Sequence, residues 1–132
     1  MQEALHNSEY ASATFDPTTR IIELVWKKDA DSEEYRKIFE AIVSFSNKNK
    51  IKSLLSDMRN EGLVRLDDVK WLEKEILVKA VEHGLEKIAL VVKETIFSTI
   101  YAEAIKKKLS NSSINLQIFD RISEAKSWLT SD

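Results

Sequence analysis

The residues able to do chemistry are few. Asp57 and Arg59 stand two positions apart, a carboxylate beside a guanidinium. Such a spacing suits a surface ion pair, worth little in stability. Asp67 and Asp68 are adjacent carboxylates. Neighbours on a helix point in different directions, so they suit the free N–H groups of a helix start better than paired acid–base work. The two histidines, His6 and His83, form no HxH or HExxH spacing, and cysteine is absent. Disulfides, thiol catalysis and Cys-ligated zinc are therefore excluded, and no metal site is legible. Gly62 and Gly84 are the only glycines, too few for a P-loop or a dinucleotide fingerprint. An enzyme would have to use Asp57 with Arg59 or Lys93. The chain reads instead as non-catalytic, with no cofactor.

Composition bounds the rest. The chain has 132 residues, 43% hydrophobic and 32% charged, as expected of one globular domain spanning 1–132. Twenty basic against 22 acidic residues give a net charge of −2, which argues against a general nucleic-acid binder. No apolar stretch approaches the roughly 18 residues of a membrane helix. Met1 to Asp16 lacks the basic head and apolar run of a signal peptide, so a cytoplasmic location is expected by default. Residues 1–8 are expected to be flexible.

Periodicity predicts the elements that position these groups. Tyr10 to Phe15 is a short strand, Asp16-Pro17-Thr18-Thr19 a turn, and Arg20 to Trp26 a second strand with Ile22, Leu24 and Trp26 on one face. Asp31, with Glu34 three residues on, caps a helix carrying Tyr35, Ile38, Phe39, Ile42 and Val43. Ile51 to Asp57 is a strand, followed by a loop from Met58 to Leu66. Asp67 and Asp68 open a second helix, and Gly84 closes it. The continuous run Ile88-Ala89-Leu90-Val91-Val92 reads as a strand covered on both faces. Thr95 caps a third helix, Ile114 to Phe119 is the last strand, and Ser123 caps a short final helix. The order ββαβαβαβα predicts an α/β domain with four helices. Its sheet is five-stranded and mostly parallel, with the first strand antiparallel.

In such sheets ligands bind beyond the carboxyl ends of the strands. Those ends supply Trp26, Lys27, Asp57, Arg59, Lys93, Thr95, Asp120 and Arg121, and the loop adds Arg65. Lys106-Lys107-Lys108, the only basic run, reads as a solvated helix face. Trp26, Trp71 and Trp128 are expected in the core, Trp71 partly exposed because it falls off the Val69–Leu72–Ile76 stripe. With Leu63 and Val64 in the preceding loop it would form an apolar contact patch.

Several stretches are family-like: Leu54-Leu55-Ser56-Asp57-Met58-Arg59, Trp71, Lys87-Ile88-Ala89-Leu90-Val91-Val92, and Phe119-Asp120 … Glu124-Ala125-Lys126-Ser127-Trp128-Leu129. With the element order, they make the chain resemble the SpoIIAA-like group. That group comprises STAS domains (sulfate transporter and anti-sigma-factor antagonist) and small bacterial proteins linked to the CRAL-TRIO lipid-binding fold. In the antagonists a phosphorylatable Ser opens the helix after the third strand. Here that stretch is Leu66-Asp67-Asp68-Val69-Lys70-Trp71, and no Ser, Thr or Tyr occurs between Asp57 and Trp71. A constitutive charge from Asp67 or Asp68 would stand in its place.

The resemblance implies a protein-interaction or regulatory module without the phosphorylation switch. Asp57, Arg59, Leu63, Val64, Asp67, Asp68 and Trp71 are the candidate partner or ligand surface. The expected occupant is a protein partner, or a second copy through that surface or an edge strand. The alternative is a carrier or sensor of a small apolar ligand or lipid. In that reading Trp71, Leu72, Ile76, Leu77, Val78, Ala80 and Val81 make the second helix apolar around its circumference and line a pocket beneath it.

Overall fold

A computed structural model of the chain describes residues 2–60, 65–93, 96–110 and 112–131. Six strands form one sheet in sequential order: β1 (Glu3–Asn7), β2 (Ala11–Asp16), β3 (Ile21–Trp26), β4 (Ser53–Asp57), β5 (Lys87–Val91) and β6 (Asn115–Phe119). The first three pair antiparallel, and β3 to β6 run parallel. The expected α/β architecture holds, with one strand more than the pattern predicted. That strand is β1, in the segment expected to be flexible. Glu-Ala-Leu-His-Asn shows no β-branched alternation, so its pairing is decided by β2 rather than by local preference. Glu3 lies opposite the core-facing Phe15, so Leu5, two residues on, also packs against the core, and the register shift between Ala4 and His6 sets His6 opposite Ala13. Lys27 Nζ fastens the strand's end through Asn7 Oδ1 at 2.9 Å and the Ser8 carbonyl at 2.8 Å.

The β2–β3 turn follows its residue chemistry. Asp16 Oδ1 accepts from the Thr18 N–H at 2.8 Å, and Arg20, at φ 60°, closes the turn. Ala11, Ala13 and Phe15 then face the core from β2, and Ile22, Leu24 and Trp26 from β3. This is the period-2 pattern made visible.

Helix α1 (Ser32–Lys48) is capped by Asp31, whose side chain accepts from the Glu34 N–H at 2.9 Å. Helix α2 runs in three joined segments: Leu66–Trp71, a π-helical stretch Leu72–Leu77, and Val78–Glu82. Gly84, at φ +107°, ends it. The Leu85 N–H reaches the Ala80 carbonyl at 2.9 Å and the Gly84 N–H reaches Val81 at 3.1 Å, a Schellman closure. Helices α3 (Ile96–Lys108) and α4 (Ile122–Thr130) complete the chain. Arg121, not Ser123, occupies the N-cap position of α4, and no side chain caps it. Ser123 therefore lies inside the first turn. Thr95 falls outside the described residues.

Sequential parallel strands joined by right-handed crossovers put all crossover helices on one face. The main core accordingly joins Tyr35 and Ile38 of α1, Leu72 and Ile76 of α2, and Ala102 and Ile105 of α3 to the inner face of the sheet. A second cluster lies on the other face: Leu55, Ala89 and Val91 beneath Ala125 and Leu129 of α4. Strands β4 and β5 are thus buried on both sides, which is why their sequences lack alternation.

Replacing Gly84 tests the helix closure. A Cβ there would stand 3.2 Å from the Ile51 carbonyl oxygen in a backbone region that suits glycine. Gly84→Ala is expected to cost about 1–3 kcal/mol, read as a lowered urea midpoint with an unchanged slope. A neutral result would contradict the geometry.

Candidate functional site

The carboxyl ends of β3, β4, β5 and β6 and the starts of all four helices lie along one edge of the sheet. The candidate residues divide there into two groups. Along β4, Ser53, Leu55 and Asp57 alternate with Leu54 and Ser56, and Leu55 packs under α4. Asp57 therefore ends the strand on the α4 side. Its carboxylate is 7% exposed and bidentate with Arg59: Nε to Oδ1 and Nη2 to Oδ2, both 2.9 Å. The Arg59 N–H adds 3.2 Å to Oδ1. This fork geometry is the strong form of such a pair. Asp57 raises the guanidinium's already high pKa, first by its hydrogen bond and then by its charge. Arg59 stays half exposed while Asp57 is buried beneath it.

The second group lies on the α1–α2 side. Asp68, in the first turn of α2, has a carboxylate only 3% exposed. Ser32 Oγ, at the start of α1, donates to its Oδ2 at 2.7 Å, and Arg36 Nε donates to its Oδ1 at 2.9 Å. The same guanidinium sits 5.0 Å from the Trp71 ring centroid, a cation–π distance. Ser32 and Arg36 are one helical turn apart and Asp68 and Trp71 three residues apart, so each pair shares a face of its helix. Asp68 is therefore not a local cap but a tether between two helices. The N-cap position belongs to Arg65, without a side-chain cap bond. Asp67 is 76% exposed and 3.9 Å from Arg65 Nη2. Of the two carboxylates, Asp67 alone presents its charge to solvent.

The other candidates distribute as follows. Leu63 and Val64 lie outside the described residues. Trp26 is buried, stacked on Tyr35 at 5.6 Å and tilted against Phe39 at 6.0 Å. Trp71 is half buried against the main core, as its off-stripe position predicted. Trp128 packs on Phe119 at 5.7 Å over α4. Lys93, Asp120 and Arg121 are exposed. His83 Nδ1 lies 2.7 Å from Ser46 Oγ, which bonds the Val43 carbonyl at 2.7 Å. That chain of bonds fixes the end of α2 against α1. His6, rather than fraying, sits in β1 with Nε2 buried and lacking a partner among the described residues. Lys108 of the basic run pairs with Glu73 at 3.1 Å. Among the described residues, no group of three or more His, Cys, Asp or Glu could hold a metal, and no helix is long and apolar enough to cross a membrane.

Sequence reasoning missed Ser32 and Arg36. The only local signal was Arg36 flanking the Tyr35–Ile38–Phe39 stripe; its partner Asp68 is 32 residues away. Under α2, between α1, α3 and the sheet, lies a void of about 50 Å³. Ile42, Leu54, Leu72, Ile76, Leu77 and Ala80 are among its walls.

A family model described as SpoIIAA-like matches residues 21–130. The chain belongs to the SpoIIAA-like family. The match begins at β3 and ends at the last residue of α4, so it contains both groups of edge residues. No curated protein sequence matches the chain. Among solved structures, a chain in the crystal structure of diguanylate cyclase SiaD in complex with its activator SiaC from Pseudomonas aeruginosa is similar. It is 10% identical, with a TM-score of 0.57 over 89% of this chain and 98% of that one. At that identity the likeness is one of fold.

The tether predicts coupled energetics. Arg36→Met strands a buried carboxylate and should cost about 2–3 kcal/mol, below the 3–5 of fully buried pairs because Arg36 is 39% exposed. Asp68→Asn keeps an acceptor for Ser32 and should cost less. The double variant should be more stable than the sum of the two losses implies, measured by urea unfolding. Strict additivity would refute the tether.

Proposed function

We propose that this chain is a cytoplasmic, non-catalytic regulatory module that docks on a protein partner through the carboxyl edge of its sheet. The observation that carries this reading is the state of the edge carboxylates. Asp57 is clasped by Arg59, and Asp68 by Arg36 and Ser32. Both carboxylates spend their oxygens on partners within the chain. What the edge offers a neighbour is instead two rigidly held guanidiniums, a half-buried indole and the exposed, loosely paired charges of Arg65 and Asp67. Arg and Trp so fixed lose little side-chain freedom on binding and are the residue types that dominate interface energetics.

The family and the fold neighbour support the same reading. SiaC is an activator found in complex with the enzyme it activates, a protein of this fold acting through contact. Regulation by phosphorylation at the start of α2 is chemically closed here, since residues 58–70 hold no hydroxyl side chain. The exposed Asp67 carboxylate supplies a permanent charge at that place.

The alternative reading, carriage of a small apolar ligand, is favoured by the void beneath α2. Its volume, about 50 Å³, is well below the roughly 150 Å³ that admits benzene. A fatty acid would have to displace α2 from the sheet. Native mass spectrometry with added fatty acid is expected to show only the apo mass. A stoichiometric adduct would favour carriage.

The docking reading is tested by affinity capture from the native host. A tagged wild-type chain should retain a stoichiometric partner. Asp67→Lys and Trp71→Ala, shown folded by circular dichroism, should weaken retention about tenfold or more. Lys107→Glu, at the far end of α3, should not. Absence of any partner, or equal loss with Lys107→Glu, would count against the carboxyl edge.

A further inference from the structure

The two outer strands of the sheet are built differently. β1 carries Glu3, a register shift between Ala4 and His6, and the Lys27 side chain laid over its end. Charge and bulges are the usual devices that keep a sheet edge from pairing. β6 has none of them. Asn115-Leu116-Gln117-Ile118-Phe119 contains no charge, proline or glycine, and it pairs with β5 in unbroken register. The nearest charges are Lys108, seven residues before the strand, and Asp120, immediately after it.

We propose that β6 is a pairing edge, and that its occupant is β6 of a second copy of this chain, antiparallel about a two-fold axis at Gln117. The hydrogen-bond phase permits it. The Asn115 N–H reaches the Glu86 carbonyl and the Val92 N–H reaches the Phe119 carbonyl, both at 2.9 Å. Asn115, Gln117 and Phe119 therefore bond inward to β5, and the N–H and C=O groups of Leu116 and Ile118 point outward. An axis at Gln117 sets Leu116 opposite Ile118 of the second copy, so outward groups meet outward groups in both halves of the ladder.

The side chains agree with that register. Leu116 and Ile118 belong to the main core face, and Phe119 to the α4 face. Opposed residues in an antiparallel pair share a face, so Leu116 would meet Ile118, and Asn115 would meet Phe119. Gln117, exposed, would meet itself in a close non-bonded pair where two amides can bond each other. All five residues of each strand overlap, and Asp120 falls opposite Ile114, so no like charges meet. Moving the axis to Ile118 would set Leu116 against the Asp120 carboxylate. The contact is isologous and closes at two copies.

Sedimentation and cross-linking of the full chain test this. At high micromolar concentration the wild type should sediment at twice its 15.2 kDa mass. Gln117→Lys should revert to the single mass, and mixing it with Gln117→Glu should restore the double mass. Because the chain has no cysteine, Gln117→Cys gives a second, independent reading. Its Cα atoms would stand about 4.5 Å apart, within disulfide reach, so oxidation should join most of the chain into pairs. Glu3→Cys on β1 should stay single. A monomeric wild type, or a dimer that Gln117→Lys leaves intact, would overturn the proposal. So would failure of Gln117→Cys to cross-link.

Discussion

Burial of β4 and β5 on both faces is the constraint from which the architecture follows. Leu54, Ile88 and Leu90 point one way and Leu55, Ala89 and Val91 the other, all at 8% exposure or less. Neither set can be left in water, so a helical layer is needed on each side of the strand pair. With strands added in sequential order, the crossovers α1, α2 and α3 supply one layer. The short α4 supplies the other, mainly over β4 to β6, with Ile21 and Glu23 of β3 at its margin. The second face of the β2–β3 hairpin is partly open and mixed, with Ser12, Thr14, Asp16 and Glu23 beside Ile21 and Val25. The same topology collects strand ends and helix starts along one edge, where chemistry can be assembled.

What that edge assembles is a set of closed ion pairs. The Asp68 carboxylate would be a liability in the interior were it not held by a cation and a hydroxyl from the neighbouring helix. Holding it aligns the start of α2 with the start of α1 and lays a guanidinium against the Trp71 ring. On the other side of the sheet, the Asp57–Arg59 fork stiffens the turn leaving β4. Rigid, half-exposed Arg and Trp side chains are the kind a recognition surface uses.

Much of this was legible from local pattern. The alternation of Ile22, Leu24 and Trp26, the Asp31 cap, Gly84 as a helix closer and the unbroken Ile88–Val92 run each have a local cause, and each appears where expected. The fold family was readable for the same reason, since its signature is a sequence of fold-determining residues. Apart from the Ser123 cap, displaced by two residues, the main misses are long-range. β1 exists because β2 offers an edge, not because Glu3–Asn7 prefers extension. Asp68 reads as a cap in sequence because its partners, Ser32 and Arg36, lie more than thirty residues upstream. The π-helical stretch Leu72–Leu77 bears no sequence mark; it borders the void where three helices meet the sheet.

Amide hydrogen exchange of the chain, alone and with its captured partner bound, tests the central claim most directly. The account predicts that binding slows exchange at the carboxyl edge, in the turn after Asp57 and from Arg65 through Trp71, and leaves the Val78–Glu82 end of α2 unchanged. Protection confined to that far end, or to the β1–β2 ribbon, would contradict it.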